Sequence, residues 1–111
     1  SFVTYANAAK MKYLGVKEET IEQFGVVSEA IAGQMAEGVA KEAGSEVGVG
    51  ITGVAGPGDD GDVKCGHVFF AVSTESGTRS FTAQFGTKRS RETIRNLAAG
   101  RMLHLALDCL E

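Results

Sequence analysis

The sequence predicts an α/β domain, helices packed on a mixed sheet of about four strands. Three observations carry that prediction. The segments run in the order β-α-α-α-β-β-β-α, which places helices against a sheet. A β-branched stretch, Val47, Val49 and Ile51 with Gly48 and Gly50 between them, leads straight into a glycine-rich turn. A long amphipathic segment closes the chain.

Taken in order, residues 1–5 (SFVTY) favour a strand, and Asn7 is placed to cap a helix over 8–13 that Gly15 stops. A second short helix is expected over 17–24, with Glu18 and Glu19 in its first turn, where the helix dipole favours acids. Ser28 reads as the N-cap of a longer helix over 29–43. Ile31, Met35 and Val39 repeat along one of its faces, and Gly33 and Gly38 allow close packing on the sheet. Gly44 closes it. After the glycine turn, 67–73 (HVFFAVS) and 79–85 (RSFTAQF) read as the two strands of a hairpin about a turn at 75–78. Phe81, Ala83 and Phe85 fall on one side of the second strand. Ser90 caps the last helix, 91–110, where Ile94, Leu97, Ala98, Leu105 and Cys109, widened by Met102, Leu103 and Leu107, are expected to form a broad buried stripe.

The glycine turn is the centre of this plan. Gly53, Gly56 and Gly58 surround the chain's single proline, Pro57. Glycine permits positive φ and close approach of a ligand to backbone N–H groups, and proline stiffens the turn. In α/β proteins ligands bind outside the carboxyl ends of strands, where this turn sits; taken alone, a glycine-rich turn more often reads as a hairpin-like connection with no ligand.

With 111 residues, 43% hydrophobic and 23% charged, the chain suits one domain over 1–111 with a modest core. A net charge of −3 without a basic patch argues against nucleic-acid binding. No apolar run approaches bilayer length, so a cytoplasmic protein off the membrane is expected. Cys65 and Cys109 are far apart, lack metal-ligand spacing, and read as free thiols. The chain opens at Ser1 in a strand-like run, which reads as a piece of a longer product.

Several residues carry potential chemistry. Tyr5 closes the first strand and Lys10 lies one turn into the next helix. A desolvated lysine beside a tyrosine hydroxyl can act as a base, although spacing alone favours a plain strand end and a surface lysine. Arg91 and Arg95 share a face at the start of the last helix. Positive charge is unfavourable there unless an anion is bound; the alternative is a salt bridge to Glu92 or to the acidic loop. Asp59, Asp60, Asp62 and His67 suggest a solvated acidic loop rather than a metal site, and His104 a helix surface residue. Cys65 reads as a small loop residue rather than a nucleophile.

The segments SFVTYANAAKMKYLGV, FGVVSEAIAGQMAEGVAKEAG and VGVGITGVAGPG together resemble the CinA C-terminal domain, the nicotinamide mononucleotide deamidase family. The resemblance covers essentially the whole chain and rests most on the VTY-N-AK-LGV block and ITG-AGPG; RETIR matches more loosely. It implies a three-layer α/β/α fold and hydrolysis of the carboxamide of nicotinamide mononucleotide to nicotinic acid mononucleotide and ammonia. In the family a serine attacks the amide carbon, activated by a lysine with a tyrosine assisting. By position these imply catalytic roles for Lys10 and Tyr5. The resemblance further implies substrate contacts from Asn7, Thr52, Gly53, Ala55, Gly56, Gly58, Arg91 and Arg95, with Arg91 on the phosphate. It implies no cofactor and no metal.

Two departures bear on that expectation. The family's serine lies in an ESCTGG-type segment opening a helix, and none of Ser28, Ser45 or Ser73 has such a context. The chain as given is therefore expected to be inactive, with a sheet one strand short, a core lacking a covering helix and bare edges that favour a homo-oligomer. The loop 59–65 also lacks the family's usual Lys-Pro-Val-Gly ending, reading Val63-Lys64-Cys65-Gly66. A non-catalytic nucleotide-binding or competence- or DNA-damage-associated interaction domain is the alternative function.

Overall fold

A computed structural model of the chain describes residues 15–25 and 27–110. It contains α1 (Glu18–Phe24), α2 (Glu29–Ala43), β1 (Gly48–Gly53), β2 (His67–Thr74), β3 (Gly77–Gln84) and α3 (Arg91–Leu110). The strand and helix expected over 1–5 and 8–13, with Tyr5, Asn7 and Lys10, lie outside the described residues.

The helices begin and end where local chemistry dictates. Gly25, at φ 82°, ends α1 by donating its N–H to the Ile21 carbonyl. The Ser28 hydroxyl accepts the Ile31 N–H at the start of α2 and donates to the Gly25 carbonyl. Gly44 closes α2 in the left-handed conformation that glycine adopts at least cost. Gln34 ties the two helices, accepting the Lys17 N–H at 2.8 Å and donating to the Thr20 hydroxyl at 2.7 Å.

Among the described residues the sheet has three strands in the order β1-β2-β3, all antiparallel. Three of the about four strands expected for the sheet are thus described, and the fourth, over 1–5, lies outside the described residues. Antiparallel neighbours need only short connections, and the 67–85 hairpin supplies one of two residues, Glu75 and Ser76, between Thr74 and Gly77. The expected turn at 75–78 is thus tighter, the strands claiming Thr74, Gly77 and Thr78.

Alternation along β2 assigns its two faces. Val68, Phe70 and Val72 cluster with Ile94, Ala98 and Met102 of α3. Ala71, with half-buried Phe69 beside it, clusters with Ala32 and Ala36 of α2. Gly48 and Gly50 lie on this second face, paired with Ser73 and Ala71. A Cβ on Gly50 would strike the Ala32 carbonyl and come within 2.9 Å of the Ala36 nitrogen. The helix backbone therefore rests directly on β1, as bare glycines permit. Gly33 plays no such part, since a Cβ there would meet only the Thr78 methyl at 3.9 Å. The Ile31-Met35-Val39 stripe turns instead toward Val16 and Ile21, forming a small second core.

Candidate functional site

β1 delivers the chain into residues 54–66, a loop that returns to the head of β2. Its base is closed by the Val54 N–H on the His67 carbonyl at 3.1 Å and the Gly66 N–H on the Val54 carbonyl at 2.6 Å. Asp60 and Val63 exchange hydrogen bonds across the tip, 2.9 Å each way. Gly56, Gly58, Gly61 and Gly66 all have positive φ, and the Gly56–Pro57 peptide is cis. Gly56 is doubly constrained: its φ is 89°, and a Cβ would stand 2.6 Å from the Cys65 sulfur. The buried Cys65 thus forms the floor of the turn. Gly58, at φ 83°, faces open space, so its requirement is conformational.

Above the turn stands the first residue of α3. The Ser90 hydroxyl accepts the Thr93 N–H at 3.1 Å, capping the helix as its sequence suggests. Arg91 donates from Nη1 to the Gly56 carbonyl at 3.0 Å, across 35 residues of sequence. The salt bridge weighed for Arg91 is absent among the described residues, whose single ion pair joins Lys64 to Asp59 at 3.4 Å. A guanidinium has five donors, so Arg91 can brace the turn and still present charge to an anion. Arg95, one turn on, is exposed and makes no hydrogen bond or ion pair with the described residues.

The remaining expected site residues divide. Thr52 is buried on the α2 face opposite Phe69. Ala55 packs half-buried against the main core. Packing accounts for Gly53, whose Cβ would meet the His67 carbonyl and Val68 at 2.9 Å. His67 bonds Thr82 on β3 at 2.7 Å and stacks on Phe69. Among the described residues no group of three or more His, Cys, Asp or Glu is placed to hold a metal.

Asp59 escaped the sequence reading, which took 59–65 for solvated loop. Its Oδ1 accepts the Cys65 N–H at 2.7 Å while Oδ2 faces Lys64. The Cys65 amide holds this carboxyl below its ordinary value; slight desolvation opposes the shift and Lys64 assists it. An aspartate six residues before a cysteine carries no pattern by which it could have been found.

The site is a glycine-rich turn at the end of a strand, braced by an arginine at the first position of a helix, in an α/β domain. The chain belongs to the CinA C-terminal domain family, whose model matches residues 1–110. It is 44% identical over 110 residues to a CinA-like protein of Rippkaea orientalis, covering 97% of this chain and 26% of that protein. It is also 44% identical over 107 residues to the nicotinamide-nucleotide amidohydrolase PncC of Enterobacter agglomerans, covering 96% of this chain and 65% of the enzyme. Among solved structures, the competence/damage inducible protein CihA of Agrobacterium tumefaciens superposes with a TM-score of 0.92 at 33% identity. That match covers 99% of this chain and 67% of CihA. A CinA superfamily protein of Escherichia coli gives 0.89 at 34% identity, over 96% and 61% of the two chains. The chain thus spans about a quarter of the CinA-like relative and about two thirds of the shorter ones. No described helix is long and apolar enough to cross a membrane.

Proposed function

We propose that this chain supplies the nucleotide-binding part of a nicotinamide-nucleotide amidohydrolase. In this reading the Gly56–Gly58 turn offers backbone N–H groups to the reacting carboxamide, and Arg91, with Arg95 beside it, holds the 5′-phosphate. The observation that carries it is the Arg91–Gly56 hydrogen bond, which brings the guanidinium at the helix N-terminus onto the glycine turn. The resemblance to PncC supports the choice of substrate. Tyr5, Asn7 and Lys10 belong to the same proposal through that resemblance, Lys10 as the base for a serine with Tyr5 assisting. The family's ESCTGG-type serine is not among these residues, so the chain as given binds without turnover.

Isothermal titration of nicotinamide mononucleotide, paired with an ammonia assay, tests the reading. Binding is expected, nicotinamide riboside should bind far more weakly, and no ammonia should appear. Arg91→Met should weaken binding roughly tenfold or more, the worth of a hydrogen bond to a charged group. Equal affinity for riboside and mononucleotide, or an Arg91→Met protein that binds normally, would overturn it. Binding without turnover by a parent protein that contains the serine would favour a non-catalytic nucleotide-binding domain.

A further inference from the structure

The loop that carries the glycine turn is thirteen residues from 54 to 66; Ala55, Val63 and Cys65 seat it on the main core, and residues 57–62 between them are exposed. The base is fixed by backbone pairs with Val54, and the tip is an isolated turn between Asp60 and Val63. Between base and tip, one side chain links the two limbs. Asp59 stands immediately after the Gly56-Pro57-Gly58 turn, and Cys65, whose N–H it accepts, stands on the returning limb with its sulfur beneath Gly56.

We propose that Asp59 is a positioning residue for the nucleotide site: by clasping the Cys65 amide it fixes the glycine turn over the Cys65 sulfur, in the position where Arg91 reaches the Gly56 carbonyl. This rests on the reading of that turn as a nucleotide site. Two independent contacts converge on the same short segment, the Asp59 clasp from below and the Arg91 brace from above. Releasing the clasp lets the exposed limb that follows Gly56 shift relative to Cys65, which the main core and the Gly66–Val54 hydrogen bond hold in place.

The carboxylate, rather than the ion pair, is the working element. Lys64 is largely exposed and 3.4 Å away, a solvent-screened geometry that contributes little. The exposed Asp59 carboxylate accepts the N–H of the buried Cys65 at 2.7 Å. The charged groups near Asp59 are Lys64 and the loop's own Asp60 and Asp62, with Arg91 of α3 engaged at Gly56. Because the native environment lowers the Asp59 pKa, ionised Asp59 supports the closed loop above the ordinary carboxylate range. That support is lost as pH falls through the lowered value.

The test combines amide hydrogen exchange by NMR with titration of nicotinamide mononucleotide on the whole chain, comparing Asp59→Ala, Asp59→Asn and Lys64→Met. Asp59→Ala should expose the Cys65 amide, raising its exchange by about tenfold, and weaken the mononucleotide roughly three- to tenfold, as loss of one hydrogen bond implies. Asp59→Asn keeps an acceptor oxygen and should recover most of both; Lys64→Met should resemble wild type. A Cys65 amide equally protected in Asp59→Ala overturns the proposal, and so does faster exchange with unchanged affinity. If wild-type chain binds no mononucleotide, the functional reading fails on its own account. The clasp is then decided by the Gly56 and Gly58 amide shifts, which must move in Asp59→Ala and return in Asp59→Asn.

Discussion

The two faces of the sheet are built on opposite rules. On one, α2 meets β1 through the smallest residues available: Ala32 and Ala36 lie on Gly48 and Gly50, with Ala71 beside them on β2. On the other, α3 covers Val68, Phe70 and Val72 with Ile94, Ala98 and Met102, side chain against side chain. The first contact is backbone on backbone and leaves no freedom to adjust. The second is a layer of larger groups with loosely held neighbours: Arg79 and Arg101 lie 5.4 Å over the Phe81 and Phe85 rings at its margin. A tight contact fixes the height of β1, and therefore where the glycine turn emerges. A thicker layer contributes hydrophobic burial but tolerates error.

The comparison predicts that adding atoms to the tight face hurts more than removing them from the loose one. Gly50→Val should be more damaging than Ile94→Ala, because its Cβ meets the Ala32 carbonyl and the Met35 Cβ at 3.1 Å. Neither a backbone carbonyl nor a helix-borne Cβ can swing away. A loss of more than about 3 kcal/mol, at the upper end for overpacking, is expected in urea denaturation. A near-wild-type midpoint would mean α2 can lift off the sheet.

Ile94→Ala comes second. Ile94 is fully buried and touches the main core, so truncation removes transfer energy and leaves a cavity. About 2–3 kcal/mol is expected, toward the lower part of the range for such changes, because α3 can settle inward. If Ile94→Ala costs more than Gly50→Val, the assignment of rigid and compliant faces is reversed.

The sequence made α2 and α3 readable because their caps, Ser28, Gly44 and Ser90, are local signals that tertiary packing did not overrule. The glycines of β1 were also legible as a surface of close approach. What they approach was not, because alanine has no periodic signature; the visible stripe of Ile31, Met35 and Val39 pointed to the α1 side instead. At the site, Arg91 and Gly56 were each visible as special, but their hydrogen bond joins positions 35 residues apart. Asp59 and Cys65 were invisible because the clasp depends on loop geometry, and three aspartates within four residues read first as solvated charge.

The broad buried stripe expected for α3 is corrected at Leu103 and Leu107, which with Leu110 are exposed at 68%, 61% and 59%, on the side of the helix turned away from Ile94, Ala98 and Met102. In this chain they bury little, so Leu107→Gln should change stability by no more than about 0.5 kcal/mol, as for an ordinary surface position. Apolar residues on both sides of one helix are the pattern of a helix covered on both sides, so the change discriminates between two situations. An unchanged denaturation midpoint leaves the sheet-facing side of α3 as its only stabilising contact. A loss above about 1 kcal/mol, which surface polarity cannot produce, would mean that the outer leucines are covered in the folded protein. The compliant face would then be a layer held from both sides, and Ile94→Ala would be expected to cost as much as the tight face does.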